Sequence, residues 1–160
     1  MSATDCDIQE DRTSPEPISP ELDDLTCALI DYALGELAEN GELSVSLAAL
    51  DGRGNSTLLS FDDEDFEESI AEARSRVRAC AADSKKLDGL EGPCVRYAIA
   101  YDGAIDEDGQ QGYVPALIVE YGEHGLSQGY SAYLTYENPG DAQNFVCSDV
   151  APAGVVELLV

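Results

Sequence analysis

The chain has 160 residues, with 33 Asp and Glu against 8 Lys and Arg, a formal net charge of -25 and an apolar content of 44%. A surface this acidic repels nucleic-acid phosphates and anionic lipid and attracts cations and basic proteins, which argues against nucleic-acid and membrane partners. The single His removes multi-histidine metal sites, and five Cys without a CxxC pair remove zinc-ribbon and disulfide-framework readings.

Residues 1–18 carry Pro15, Pro17, several Ser and Thr, and five acids, with almost nothing to pack. They read as a disordered acidic tail, without the apolar stretch of a secretory leader. Residues 19–160 then read as a single domain, close to the usual size of about 100–150 residues. Ser19-Pro20-Glu21 is a helix start: Ser caps, Pro suits the first turn, and acids suit the positive end. Leu22, Leu25, Leu29, Ile30, Ala33 and Leu37 recur at helical spacing, and Gly41 sits where a C-terminal cap belongs, so a helix is predicted over 20–40.

Residues 43–50 alternate Leu43, Val45, Leu47 and Ala49 with Ser44, Ser46 and Ala48, which is the strand period. Asp51-Gly52-Arg53-Gly54-Asn55 is turn chemistry, and Thr57 to Phe61 completes a hairpin over 43–61. A second helix is read as opening at Asp62 and Asp63, with Phe66, Ile70, Ala73, Val77 and Cys80 on one face and Gly89 just past its end. Acids crowd its start. Arg74, Arg76, Arg78, Lys85 and Lys86 fill its second half, the polarity the helix dipole favours.

The remainder is strand-rich. Residues 94–101 (CVRYAIAY), 113–121 (YVPALIVEY) and 126–136 (LSQGYSAYLTY) read as a three-strand antiparallel meander. Residues 144–147 read as a short extended piece, and Val155–Val160 as an edge strand or a segment packing back on the core. The fold class is α+β: two helices on one face of a mostly antiparallel sheet of five to six strands, in the order α-β-β-α-β-β-β with a C-terminal strand.

Three groups of residues carry candidate chemistry. Asp62, Asp63, Asp65, Glu67 and Glu68 form an acid run that presents negative charge to a basic partner, although the same residues serve the helix start. Asp102, Asp106, Glu107 and Asp108 lie in an acidic hairpin tip whose spacing does not match the D-x-D-x-D-G calcium loop. Glu120, Glu123 and His124 combine carboxylates with the one imidazole, although a plain reversal also wants these residue types. No GxGxxG or GxxxxGKS/T motif is present, so no phosphate-cradling loop is expected.

The leading expectation is a non-enzymatic cytoplasmic interaction module of inhibitor, immunity or adaptor type, with a basic protein partner and no cofactor or metal. One alternative is a small metal-dependent hydrolase using Glu120, Glu123 and His124. The other is a homodimer whose acidity is compositional, joined through an open sheet edge or the apolar C-terminus.

Overall fold

The computed structural model describes residues 17–106, 109 and 112–160. In chain order these form α1 (Pro20–Asn40), β1 (Val45–Asp51), β2 (Ser56–Phe61), α2 (Phe66–Ala81), β3 (Cys94–Ile105), β4 (Val114–Glu123), β5 (Gly129–Glu137), β6 (Val146–Cys147) and β7 (Ala151–Val156). The strands make a seven-stranded antiparallel sheet in the order β2-β1-β3-β4-β5, and the outer edge of β5 pairs with β7 at its start and β6 at its end. The class and element order are those read from the sequence, with seven strands rather than five or six; the last strand is Ala151–Val156, and the Val155–Val160 segment mostly packs back on the core, as its alternative reading had it. The tail read over 1–18 falls almost wholly outside the described residues, as does Cys6.

The helices do not share a face of the sheet, and this corrects the sequence reading. Directly paired residues of neighbouring strands lie on one face. Leu47 pairs with Ile99 and Ala49 with Tyr97, and these pack with Ala73, Val77 and Cys80 of α2. Ala48 pairs with Ala98, and these pack with Leu29, Ile30, Ala33 and Leu37 of α1. The cause is that β1 and β3 bury successive side chains, Val45–Ala49 and Tyr97–Ala100, so both sides of the sheet centre need cover. Alanine on the α1 side lets that helix sit close to the strands.

Ser19 caps α1 as expected: its Oγ accepts from Leu22 N–H at 3.1 Å, and Gly41 closes the other end at φ 80. α2 differs at both ends. Asp65, not Asp62 or Asp63, is its N-cap, accepting from Glu67 N–H at 2.9 Å. Asp63 N–H instead donates to Ser69 Oγ, so the residues before Asp65 form a lead-in rather than a first turn. The helix stops at Ala81, well before Gly89, because Ser84 and Lys85 donate their amides back to Ala79 C=O and the chain then turns Leu87 and Leu90 into the core.

After β7 the chain crosses the α2 side of the sheet where α2 itself does not reach. Leu159 is buried in that core, with Leu158 and Val160 against it. The crossing is close enough to require glycine beneath it. A Cβ on Gly122 would lie 2.7 Å from Leu158 Cδ1, and one on Gly129 would lie 2.8 Å from Glu157 O.

Candidate functional site

Strand direction gives the sheet two ends, and acids from several segments meet at one of them, while Glu21, Asp23, Asp24, Asp83, Asp88 and Glu91 lie exposed elsewhere. The end of β2 meets the start of β1 at the Phe61–Val45 pair, and Asp62 to Glu68 follow directly. The Phe66 ring lies edge-on to Tyr101 with centroids 6.2 Å apart, which sets this acid run beside the outgoing half of β3 with Asp102 and Asp106. The end of α1 arrives at the same place. Leu37 C=O accepts from both Gly41 and Gly140, bringing Glu39 and Glu42 next to the chain that leaves β5. Tyr136 O–H donates to Asp102 at 2.5 Å across this end. Asp62, Asp63, Asp65, Glu67 and Glu68 are all exposed. The acid run and the Asp102–Asp106 segment therefore lie at one end of the sheet, with Asp102 half-buried on the α1 side and the acid run leading into α2 on the other; Glu107 and Asp108 lie outside the described residues.

Most of the described cations sit elsewhere. Arg53 is in the β1–β2 turn and Lys85 and Lys86 follow α2, at the opposite end. The two nearest the acid run are already engaged. Arg74 holds Glu120, and Arg76 reaches Glu72 at 3.9 Å with its guanidinium 5.8 Å from the Phe61 ring centre. Among the described residues no cation pairs with Asp62, Asp63, Asp65, Glu67 or Glu68.

No family model, curated protein or solved structure matches the chain.

The third predicted cluster is not brought together. Glu120 and Glu123 are an odd number of residues apart on β4, so they face opposite sides of the sheet. Glu120 is 3% exposed and points toward α2, where Arg74 clasps it with Nε at 3.0 Å from Oε1 and Nη2 on Oε2, and Tyr101 O–H donates at 2.6 Å. Burial, and then the Glu120 carboxylate, push the Tyr101 phenol upward. Glu123 points toward the start of α1. Ser19 donates from both N–H (2.8 Å) and Oγ–H (2.6 Å), and Arg96 Nε from 2.9 Å. Burial alone would raise Glu123, but the Ser19 hydroxyl and amide and the Arg96 guanidinium outweigh it and hold the carboxyl below its ordinary range. His124 is exposed in the β4–β5 turn, with its amide on Val95 C=O at 2.8 Å. Among the described residues no group of three or more His, Cys, Asp or Glu is arranged to hold a metal.

Sequence reasoning missed one further buried acid. Asp51, 1% exposed, closes the β1–β2 turn and ties it to the loop before β3. The Asn55 side-chain amide, then the N–H groups of Glu91, Asn55 and Arg53, hold it well below the carboxylate range against the effect of burial. Its signal was the turn pattern itself, since Asp at the head of a Gly-rich reversal bonds its own backbone. Of the four described cysteines, Cys80 and Cys94 are buried and Cys27 and Cys147 exposed, all free thiols. Burial pushes Cys94 up to about 12. No described helix is long and apolar enough to cross a membrane.

Proposed function

We propose that this chain is a non-catalytic interaction module that engages a basic protein through its acidic end. The observation that carries the reading is the meeting of acids from separate segments (the end of α1, the lead-in to α2 and the outgoing half of β3) at one end of the sheet, where among the described residues no cation pairs with Asp62, Asp63, Asp65, Glu67 or Glu68. Asp65 caps α2 and the first-turn acids suit its positive end, but Asp62 and Asp63 lie ahead of that cap and have no ion pair among the described residues, and like charges held together cost stability. A surface that tolerates this cost is suited to a partner that supplies the missing charge. The buried carboxylates, by contrast, are each satisfied within the fold and offer no poised acid–base pair.

The test is a salt series of binding to small basic proteins. Affinity should fall steeply with ionic strength, and Asp62→Asn, Asp63→Asn, Glu67→Gln and Glu68→Gln together should weaken it tenfold or more. Asp83→Asn with Asp88→Asn, beyond the other end of α2, should leave it unchanged. Binding that ignores salt, or that falls equally with both sets, would refute the proposal.

A further inference from the structure

The two edges of the sheet are built differently. Beyond β5, the pairing with β7 shifts register between Ser131 and Ala132, Pro152 and Gly154 interrupt β7, and β6 is two residues long. Short strands, Pro and bulges are the devices that blunt an edge. β2 has none of them. Its sequence, STLLSF, holds no charge, Pro or Gly, and it pairs with β1 in unbroken register.

The open ladder positions of β2 can be assigned. Asp51 N–H donates to Asn55 C=O at 3.0 Å. Antiparallel alternation then turns Thr57, Leu59 and Phe61 toward β1, and Ser56, Leu58 and Ser60 away from it. Gly89 lies against Ser56 C=O, which leaves Leu58 and Ser60 open. The Leu58 side chain is 45% exposed and borders a cleft of about 260 Å³ whose other wall is Leu25, Ala28 and Tyr32 of α1.

Charge selects the occupant. A second copy would bring another -25 and set the α1 acids of both copies across the new strand pair. The chain's own residues 1–16 hold five acids and one cation, Arg12. Both carry the wrong sign for a cleft framed by Asp24 and Asp31, the exposed helical neighbours of Ala28, and by the acid run at the end of β2. We infer that β2 captures an extended segment of a basic protein as an added strand, with an apolar side chain seated between Leu58 and Tyr32 and Lys or Arg on either side. The inference takes the partner's sign from the proposed function and adds its shape.

The probe is a capped seven-residue peptide with two lysines at each end of a Val-Thr-Val centre, beside an N-methylated version of equal charge, titrated into the full chain. The parent peptide should slow amide hydrogen exchange at Leu58 and Ser60 while Thr57 and Leu59 stay as they were. N-methylation, and separately Leu58→Asp, should each cost tenfold or more in affinity, with the unfolding midpoint of the variant near that of the parent chain. Equal binding of the two peptides, or exchange changes confined to the acidic end, would overturn strand capture while leaving the basic-partner reading intact. No binding of either peptide also overturns strand capture, and the basic-protein salt series then judges the other proposal separately. A concentration-dependent dimer abolished by Leu58→Asp would assign the edge to a second copy and overturn the inference equally.

Discussion

Arg74 and Glu120 form a pair whose two members should fail unequally. Replacing Arg74 by Met keeps the apolar stem but strands a carboxylate that is 3% exposed, with only Tyr101 left as donor. Breaking a buried pair from one side costs roughly 3–5 kcal/mol. The Arg74 side chain is 37% exposed against 4% for that of Glu120, so water reaches the vacated position and the loss should fall to about 2–3 kcal/mol. With a urea slope of about 2 kcal/mol/M, the midpoint should drop by about 1–1.5 M. Glu120→Leu leaves behind a cation that can turn outward to solvent, so it should cost less than Arg74→Met. The double variant should be more stable than Arg74→Met alone, because the stranded charge is gone. Equilibrium urea unfolding of the three variants measures all of this. A loss below about 0.5 kcal/mol for Arg74→Met, or a larger loss for Glu120→Leu, would refute the claim that a desolvated carboxylate dominates the pair.

Glu123 is held below its ordinary range, so its contribution is present above the unfolded value near 4.5 and disappears as pH falls through the lower folded value. Arg96→Gln removes one cause of that depression. Its cost should therefore be larger at pH 7 than at pH 3, read from denaturation midpoints at both; an equal cost would show that Arg96 acts by packing alone. Gly129→Ala pushes a methyl into Glu157 O and should cost about 1–3 kcal/mol, a fall of several degrees in Tm, whereas Gly52→Ala, with nothing within 4 Å and an ordinary φ, should change little. Added sodium chloride should raise the unfolding midpoint by screening repulsion at the acidic end, and the fourfold Asp62, Asp63, Glu67 and Glu68 amide variant should lose most of that gain. An unaltered salt response would mean that the repulsion is spread evenly over the surface.

What the sequence disclosed and what it hid both follow from periodicity. The Ser19 cap, the Gly41 stop, the 51–55 turn and the three-strand meander were legible because each is set by residues within a few positions of one another. The layering was not. In 43–50, Ala48 counted with the serines as the outward set, yet it meets α1 while Leu47 meets α2. Alanine does not declare which side of a strand is buried, so a strand covered on both faces passed for one covered on a single face. The length of α2 was misjudged for a related reason. Cations continue past Ala81 and suggested more helix, whereas Leu87 and Leu90 gain more by turning into the core than by extending an exposed spiral.

The site residues divide along the same line. Glu120 and Glu123 looked like a cluster because they are close in sequence, but three steps along a strand reverse direction, and each found a partner on its own side: Arg74 from α2, Arg96 beside the α1 cap. Those partners are far away in sequence and could not be paired without the fold. The consequence for charge is the more telling one. The chain has only eight cations, and the sheet and C-terminal segment draw on Arg74, Arg96, Arg53 and Arg78 to match Glu120, Glu123, Glu91 and Glu157. Two of these pairs, Arg74–Glu120 and Arg96–Glu123, neutralise buried acids in the body of the sheet, while Arg53–Glu91 and Arg78–Glu157 are exposed and contribute little. The other end, where α1 finishes and α2 begins, keeps its negative charge. Among the described residues the scarce cations are allotted to particular acids, and none of the five ion pairs reaches Asp62, Asp63, Asp65, Glu67 or Glu68.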